Sequence, residues 1–225
     1  PTEGQLGNQL KTLQIIIHEI ESSTPIIQTI FNPLSQAKNL VGKEQLLVHM
    51  RQHPQELLAG LEILTENTIR FIQNCVTLGI QGVFLAIQHA QAALLTSNEV
   101  EKFILPFDQR IISAAADLWL NVMHLHGKDI YFNLIPKNGF AVVNWHDQET
   151  FPTLHAAKTS FPGAVCGGLK QWDTLVYGTP STVEKEAKQA IHATSGERFI
   201  LGTGCVLPII APHSNIQATR QAVED

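Results

Sequence analysis

The fold class that the sequence predicts is parallel α/β, and within it a TIM-type (β/α)8 barrel present as roughly its carboxy-terminal six β/α units. Three observations carry that prediction. Short apolar runs of strand length alternate with longer stretches of helical periodicity, and such alternation implies parallel strands joined by right-handed crossovers. No Gly-x-Gly-x-x-Gly follows the first run and no Gly-Lys-Ser/Thr phosphate loop occurs, which disfavours the nucleotide-binding doubly wound sheets. Polar and reactive side chains gather just past the carboxyl ends of the runs: Gln88 and His89, His124 and His126, Trp145 with His146 and Asp147, Cys166, and Cys205. Barrel enzymes build their active sites on that face.

Taken in order, helical periodicity spans Leu6 to Ile20 and precedes a first strand, Ile26 to Phe31. Helices over Lys43 to Met50 and Pro54 to Leu78 lead to a second strand, Gly82 to Ile87. Thr96 and Glu99 form a capping-box pair that opens a helix over Asn98 to Leu118. Strands follow at Asn121 to His126 and Phe140 to His146, then a short helix near Thr153 to Thr159 and a strand at Ala164 to Leu169. Ser181 and Glu184, after Pro180, make a second capping pair for a helix ending at Thr194. The sixth strand is Phe199 to Gly204, and Pro212 and Ser214 introduce a last helix, Asn215 to Val223. An ordinary barrel has eight strands in about 250 residues. The two strands not found are expected before Pro1, where the chain enters almost directly into a helical pattern, like the middle of a longer protein. Residues 1–225 are expected to form one barrel domain or part of one.

With 225 residues, 44% of them hydrophobic, and no low-complexity segment, the chain is long enough to bury a sizeable core. A net charge of -5, with no cluster of Lys and Arg interleaved with aromatics, argues against nucleic acid as a partner. No apolar run reaches the length of about 18 residues that a membrane span needs, and the amino end lacks the regions of a signal peptide. The expectation is a cytoplasmic protein with no membrane partner. Cys75, Cys166 and Cys205 are an odd set at wide spacing, a poor disulfide framework. Cys75 falls in an apolar helix and reads as a core thiol.

Side chains two apart on a strand share a face, so His124 and His126 can point at one ligand, and Cys205 follows a later strand. Two imidazoles and a thiolate would make an open three-ligand zinc site. The alternative is that one histidine packs in the barrel while the other bonds a backbone carbonyl. His89, after Gln88, is a candidate to bind an anionic substrate group or act as an acid, against satisfaction by loop carbonyls. Asp147 could orient His146 or receive a proton, against an ordinary polar loop, and Trp145 fits a filler of the barrel mouth. His18, His49, His53, His155, His192 and His213 fall away from the strand ends and are expected at the surface.

The stretch from Gly196 to Ile216, with Gly202-Thr203-Gly204-Cys205 followed by Pro208, Pro212 and Asn215, resembles the last strand and loop of the uroporphyrinogen decarboxylase superfamily. Gly82 to Ala90, then Glu101 to Phe107 with Pro106, is similar to that family's strand, short loop and Phe-x-x-Pro-Tyr helix, Phe107 replacing Tyr. The resemblance covers nearly the whole chain and implies an eight-stranded barrel. True decarboxylases carry Gly-His-Gly in the last strand, where this chain has Gly202-Thr203-Gly204, and a Tyr at the position of Lys38. The zinc-dependent methyltransferase branch uses His-x-Cys after the middle strand and Cys after the last as ligands. The matching residues are His124, His126 and Cys205, with His in place of one Cys. The resemblance therefore implies Zn2+ on those three residues and activation of a small-molecule thiol for methyl transfer. The donor would be a corrinoid carried by a partner protein. In that site His89 and Asp147 are the catalytic candidates, and Gln88, Trp145 and His146 would line the cofactor and substrate pocket. Decarboxylation of a tetrapyrrole-type substrate and non-catalytic ligand binding are the alternatives; a homodimer is among the assemblies this reading admits.

Overall fold

In a computed structural model, residues 1–21 and 23–224 are described. Six parallel strands, β1 (Ile27–Phe31), β2 (Gly82–Ile87), β3 (Val122–Leu125), β4 (Val142–Trp145), β5 (Ala164–Leu169) and β6 (Phe199–Thr203), lie side by side in sequence order. Consecutive parallel strands of this kind are the arc of a (β/α) barrel. Among the described residues β6 does not pair with β1, so the ring is open there.

The helices are α1 (Gly4–Glu19), α2 (Pro33–Val41), α3 (Lys43–Gln52), α4 (Pro54–Leu78), α5 (Ser97–Phe103), α6 (Leu105–Ser113), α7 (Leu154–Ser160), α8 (Pro180–Thr194) and α9 (His213–Glu224). Three departures from the sequence expectations have physical causes. The helix expected over Asn98 to Leu118 breaks at Ile104, because Pro106 has no N–H to continue the ladder and instead sits in the first turn of α6. α8 is capped by Thr179, whose hydroxyl accepts from the Thr182 amide at 3.3 Å, and not by Ser181. α2 is absent from the helices that the apolar periodicity gives. Asn32 starts it by accepting from the Ser35 amide at 3.0 Å, with Pro33 in the first turn. The Thr96–Glu99 capping box is present. Among the described residues no helix separates β3 from β4; the chain reaches β4 through turns that include a bridge between Gln91 and Ile130.

Alternation along the strands divides two layers. Val83, Leu85, Ile87, Met123, Leu125, Val143 and Trp145 point outward and are buried against Phe71, Ile72, Phe103 and Ile111 of the helices. The inward side chains form rungs fixed by the parallel register. One rung runs Phe31, Ala86, His124, Asn144, Cys166 and Ile200 across all six strands. It lies close to the carboxyl ends, so the chemistry at the strand ends stands directly above it. Cys75 is fully buried in α4, and burial pushes its thiol up to about 11.

Candidate metal centre

His124 ends the inward face of β3, and His126 lies two residues on, just past the strand. Its backbone amide is still held by the Ile87 carbonyl at 3.0 Å, which keeps the alternation and turns the ring the same way as His124. Gly127 then turns the chain at φ 94, and a Cβ there would collide with Gln91 at 2.2 Å. On β4 the same alternation points Asn144 and His146 inward and Trp145 outward. Gly204 brings the loop after β6 against the β4 backbone, since a Cβ would stand 2.6 Å from the His146 Cα. That close approach delivers Cys205.

The side chains of His124, His126, His146 and Cys205 each offer one ligand atom, and these atoms all lie within 4.8 Å of one another. His126 Nδ1 is 3.4 Å from His146 Nε2 and 3.5 Å from Cys205 Sγ. Such convergence of lone pairs is satisfied by one shared cation, and imidazole with thiolate is a donor set that suits zinc.

The state of His124 is fixed by its neighbour. Asn144 Nδ2 donates to the carbonyls of Cys166 at 3.0 Å and Thr203 at 2.9 Å. Its Oδ1 must therefore face His124 Nδ1, 2.6 Å away, which donates and leaves Nε2 bare for a ligand. Burial pushes His124 down to about 4, with the Asn144 bond opposing and His126 and His146 adding to the fall. His126 is lowered by burial, then by His146 and Lys38. Burial also lowers His146, against the pull of Glu149, whose Oε1 is 3.9 Å from Nδ1. All three imidazoles are thereby kept neutral near pH 7, as metal ligands must be. Phe84 stacks on His124 with ring centroids 5.4 Å apart.

The other residues singled out in the sequence fall in two places. Gln88 and His89 follow β2 on the mouth side, where Gln88 Oε1 and His89 Nδ1 are buried without a hydrogen-bond partner among the described residues. His89 is pushed down to about 4, mainly by burial and then by Lys38, His126 and Lys43. Asp147 and Trp145 are not brought to the cluster. Trp145 is fully buried on the outer layer, its indole donating to the Pro152 carbonyl at 2.9 Å, so a cofactor-lining role does not fit it. Asp147 turns between β4 and β5 and accepts the Gly168 amide at 3.1 Å, facing α7 and α8 in place of the donors. Burial raises it to about 6. A proton role at the cluster is therefore out of its reach. His146, assigned to the pocket lining, stands among the metal donors instead. Asn144 had no assignment. Its role depends on the register that pairs it with His124, although the two-residue spacing to His146 was open to view in the sequence.

With this geometry in place, comparison with known proteins is informative. The family model for uroporphyrinogen decarboxylase (URO-D) matches residues 1–225. The chain belongs to the uroporphyrinogen decarboxylase family. Among curated relatives it is similar to the methylcobamide:CoM methyltransferase MtbA of Methanosarcina mazei, at 24% identity over 95% of this chain and 62% of the relative. A uroporphyrinogen decarboxylase of Geotalea daltonii is also 24% identical, over 92% of this chain and 62% of that protein. The chain thus spans less than two thirds of the length of these relatives. A solved methyltransferase from Methanosarcina mazei superposes with a TM-score of 0.85 at 21% identity, over 99% of this chain and 65% of that one. That likeness is one of fold. No helix among the described residues is long and apolar enough to cross a membrane.

Proposed function

We propose that this member of the uroporphyrinogen decarboxylase family is a zinc-dependent methyltransferase that activates a small-molecule thiol. One observation carries the proposal: four donors from three strand ends converge within 4.8 Å on the carboxyl face of the sheet. The names of the methyltransferase relatives support the reaction class and a methylated corrinoid as donor, held on a partner protein. His124, His126 and Cys205 would hold zinc, with His146 beside them. A zinc ion bound there supplies Lewis acidity that lowers a thiol pKa and keeps it as thiolate.

The residues of the chain prepare that site in three ways. Burial and mutual repulsion hold the imidazoles neutral, Asn144 orients His124, and Phe84 stacks against the His124 ring. His146 would be the donor that a substrate thiol replaces, since Glu149 approaches its far nitrogen only to 3.9 Å.

Elemental analysis of the purified, metal-replete protein and of His126→Ala tests the reading. One zinc per chain, lost in the variant together with thiol binding, is the expected result. Zinc near zero in the unmodified chain would overturn it and return the cleft to decarboxylase-like use. That use is disfavoured by Thr203, which stands where the decarboxylases have His and whose hydroxyl is spent on the Cys205 carbonyl at 2.5 Å.

A further inference from the structure

Between β3 and β4 the outer layer of helices is interrupted. Every other connection between consecutive strands carries at least one helix, whereas among the described residues β3 reaches β4 without one. A single helical turn starts there, the amides of Leu134 and Ile135 both donating to the Tyr131 carbonyl, at 3.0 and 3.3 Å. Pro136 then stops it, since proline offers no N–H and disfavours a helical residue before it, and Gly139 turns the chain at φ 85. Where a helix would pack between α5 and α7, a cleft of about 690 Å³ is left. Its floor includes Phe132, buried edge-on against Trp145 with ring centroids 5.2 Å apart. Trp145 belongs to the outward layer, so the sheet stands between this cleft and the inward-facing metal donors.

The apolar lining includes Ile130, Leu134 and Phe151, the last 74% exposed. Among the described lining residues only Asp129 carries a charge. Its backbone is held on both sides, the amide donating to Thr150 Oγ1 at 3.0 Å and the carbonyl accepting from the Ala92 amide at 2.9 Å. The residue stands at φ 48, a left-handed conformation uncommon for anything but glycine. Its carboxylate has no hydrogen-bond or ion-pair partner among the described residues. The lysines of the same segment are engaged elsewhere, Lys128 with Glu149 at 3.1 Å and Lys137 with the Phe132 carbonyl at 3.1 Å. A fixed, unanswered carboxylate in an apolar cleft is complemented by a cation that carries an apolar body. The exposed Phe151 ring favours the same ligand through cation–π attraction. The volume lies in the range of about 300 to 1,000 Å³ that small molecules fill, which favours a small ligand over a partner's helix.

We propose that the cleft between α5 and α7 binds a small organic cation, an ammonium group on an aryl or alicyclic body. Asp129 receives the charge, and Ile130, Leu134 and Phe151 receive the apolar part. The site rests neither on the metal centre nor on the methyl-transfer reading.

Titration of the full chain with 2-phenylethylammonium and with 2-phenylethanol, which share a body and differ in the charged end, tests the proposal by NMR of the backbone amides. Shifts centred on Asp129, Leu134 and Thr150 are expected with both. The ammonium should bind about fivefold tighter than the alcohol, the worth of one partly exposed ion pair. Asp129→Asn should abolish that preference while the alcohol keeps its affinity, and asparagine tolerates the left-handed backbone, so the fold is retained. Ala92→Phe, at an exposed position of the lining, should exclude both probes. Equal affinities in the unmodified chain, a preference that survives Asp129→Asn, or shifts confined to His126 and His146 would each overturn the proposal. Binding of neither probe up to about 10 mM would do the same. If Ala92→Phe then breaks up a dimer seen by light scattering, a second copy of the chain fills the cleft in place of a cation. Zinc content bears on none of these outcomes, so the cleft and the methyltransferase reading stand or fall separately.

Discussion

His124 presents a bare Nε2 to the candidate donor cluster because Asn144, tied by two carbonyls, on β5 and at the end of β6, leaves its amide oxygen facing Nδ1. Removing that amide frees the ring to rotate and to change tautomer. Asn144→Ala should therefore weaken zinc binding about 10- to 100-fold without touching a ligand, as measured by competition with a chromophoric chelator; unchanged affinity would contradict the assignment. A second single-residue prediction concerns Asp108, buried in α6 with the Asn32 amide at 3.1 Å from both oxygens. Burial raises this carboxyl to about 8, so between roughly pH 4 and pH 8 the folded chain binds a proton that the unfolded chain releases. Stability from this group falls as pH rises through that window, at up to about 1.4 kcal/mol per unit. His89 and His124, lowered to about 4, act in the opposite sense below their unfolded value of about 6.5 and fall silent above it. Urea denaturation from pH 6.5 to 8 should show the unmodified chain losing stability relative to Asp108→Asn, and parallel curves would refute the shift. His124, His126 and Cys205 were legible in the sequence because spacing on a strand fixes direction. Asn144 was not, since it acts through cross-strand register.

Elements were legible where local chemistry is decisive. β2, β5 and α4 lie where the apolar pattern put them, and the Thr96 capping box opens α5 as expected. The errors have a common origin, in that several local solutions compete and tertiary contacts choose. Before α8, both Thr179 and Ser181 are acceptable caps, but Pro180 suits the first helical turn, which moves the cap back to Thr179. Thr179→Ala should cost about 1 kcal/mol in urea denaturation, whereas Ser181→Ala, exposed within the first turn, should stay within about 0.5 kcal/mol. The reverse order would restore the Ser181 cap. α2 escaped the periodicity because it is short and polar on one side, and it is held by burial of Leu34 and Ala37 in the core and by Ser35, whose hydroxyl accepts the Gln88 amide at 3.3 Å.

At the scale of the whole molecule, the inward rung that carries His124 ends in two side chains of a different kind. Ala86, His124 and Asn144 are buried, but Phe31 at one edge is 39% exposed and Ile200 at the other is 44% exposed. Each belongs to a strand with an unpaired outer edge among the described residues, and beside β6 an apolar groove of Leu169, Leu175, Ile216 and Val223 lies open. Unpaired edges backed by apolar surface are templates for another strand. The sequence foretold this by its count, six strands where a barrel needs eight. The consequence is concentration-dependent association of the 225-residue chain through β1 or β6, visible by light scattering coupled to size exclusion in the micromolar range or above. Ile200→Lys places a charge on the exposed rung end, where it costs at most about 0.5 kcal/mol because water already reaches the site. The substitution should suppress association while the zinc content and the denaturation midpoint remain as they were. If association persists undiminished in Ile200→Lys and also in Phe31→Lys, the sheet edges are not its cause. Suppression in only one of the two variants would identify the edge that pairs.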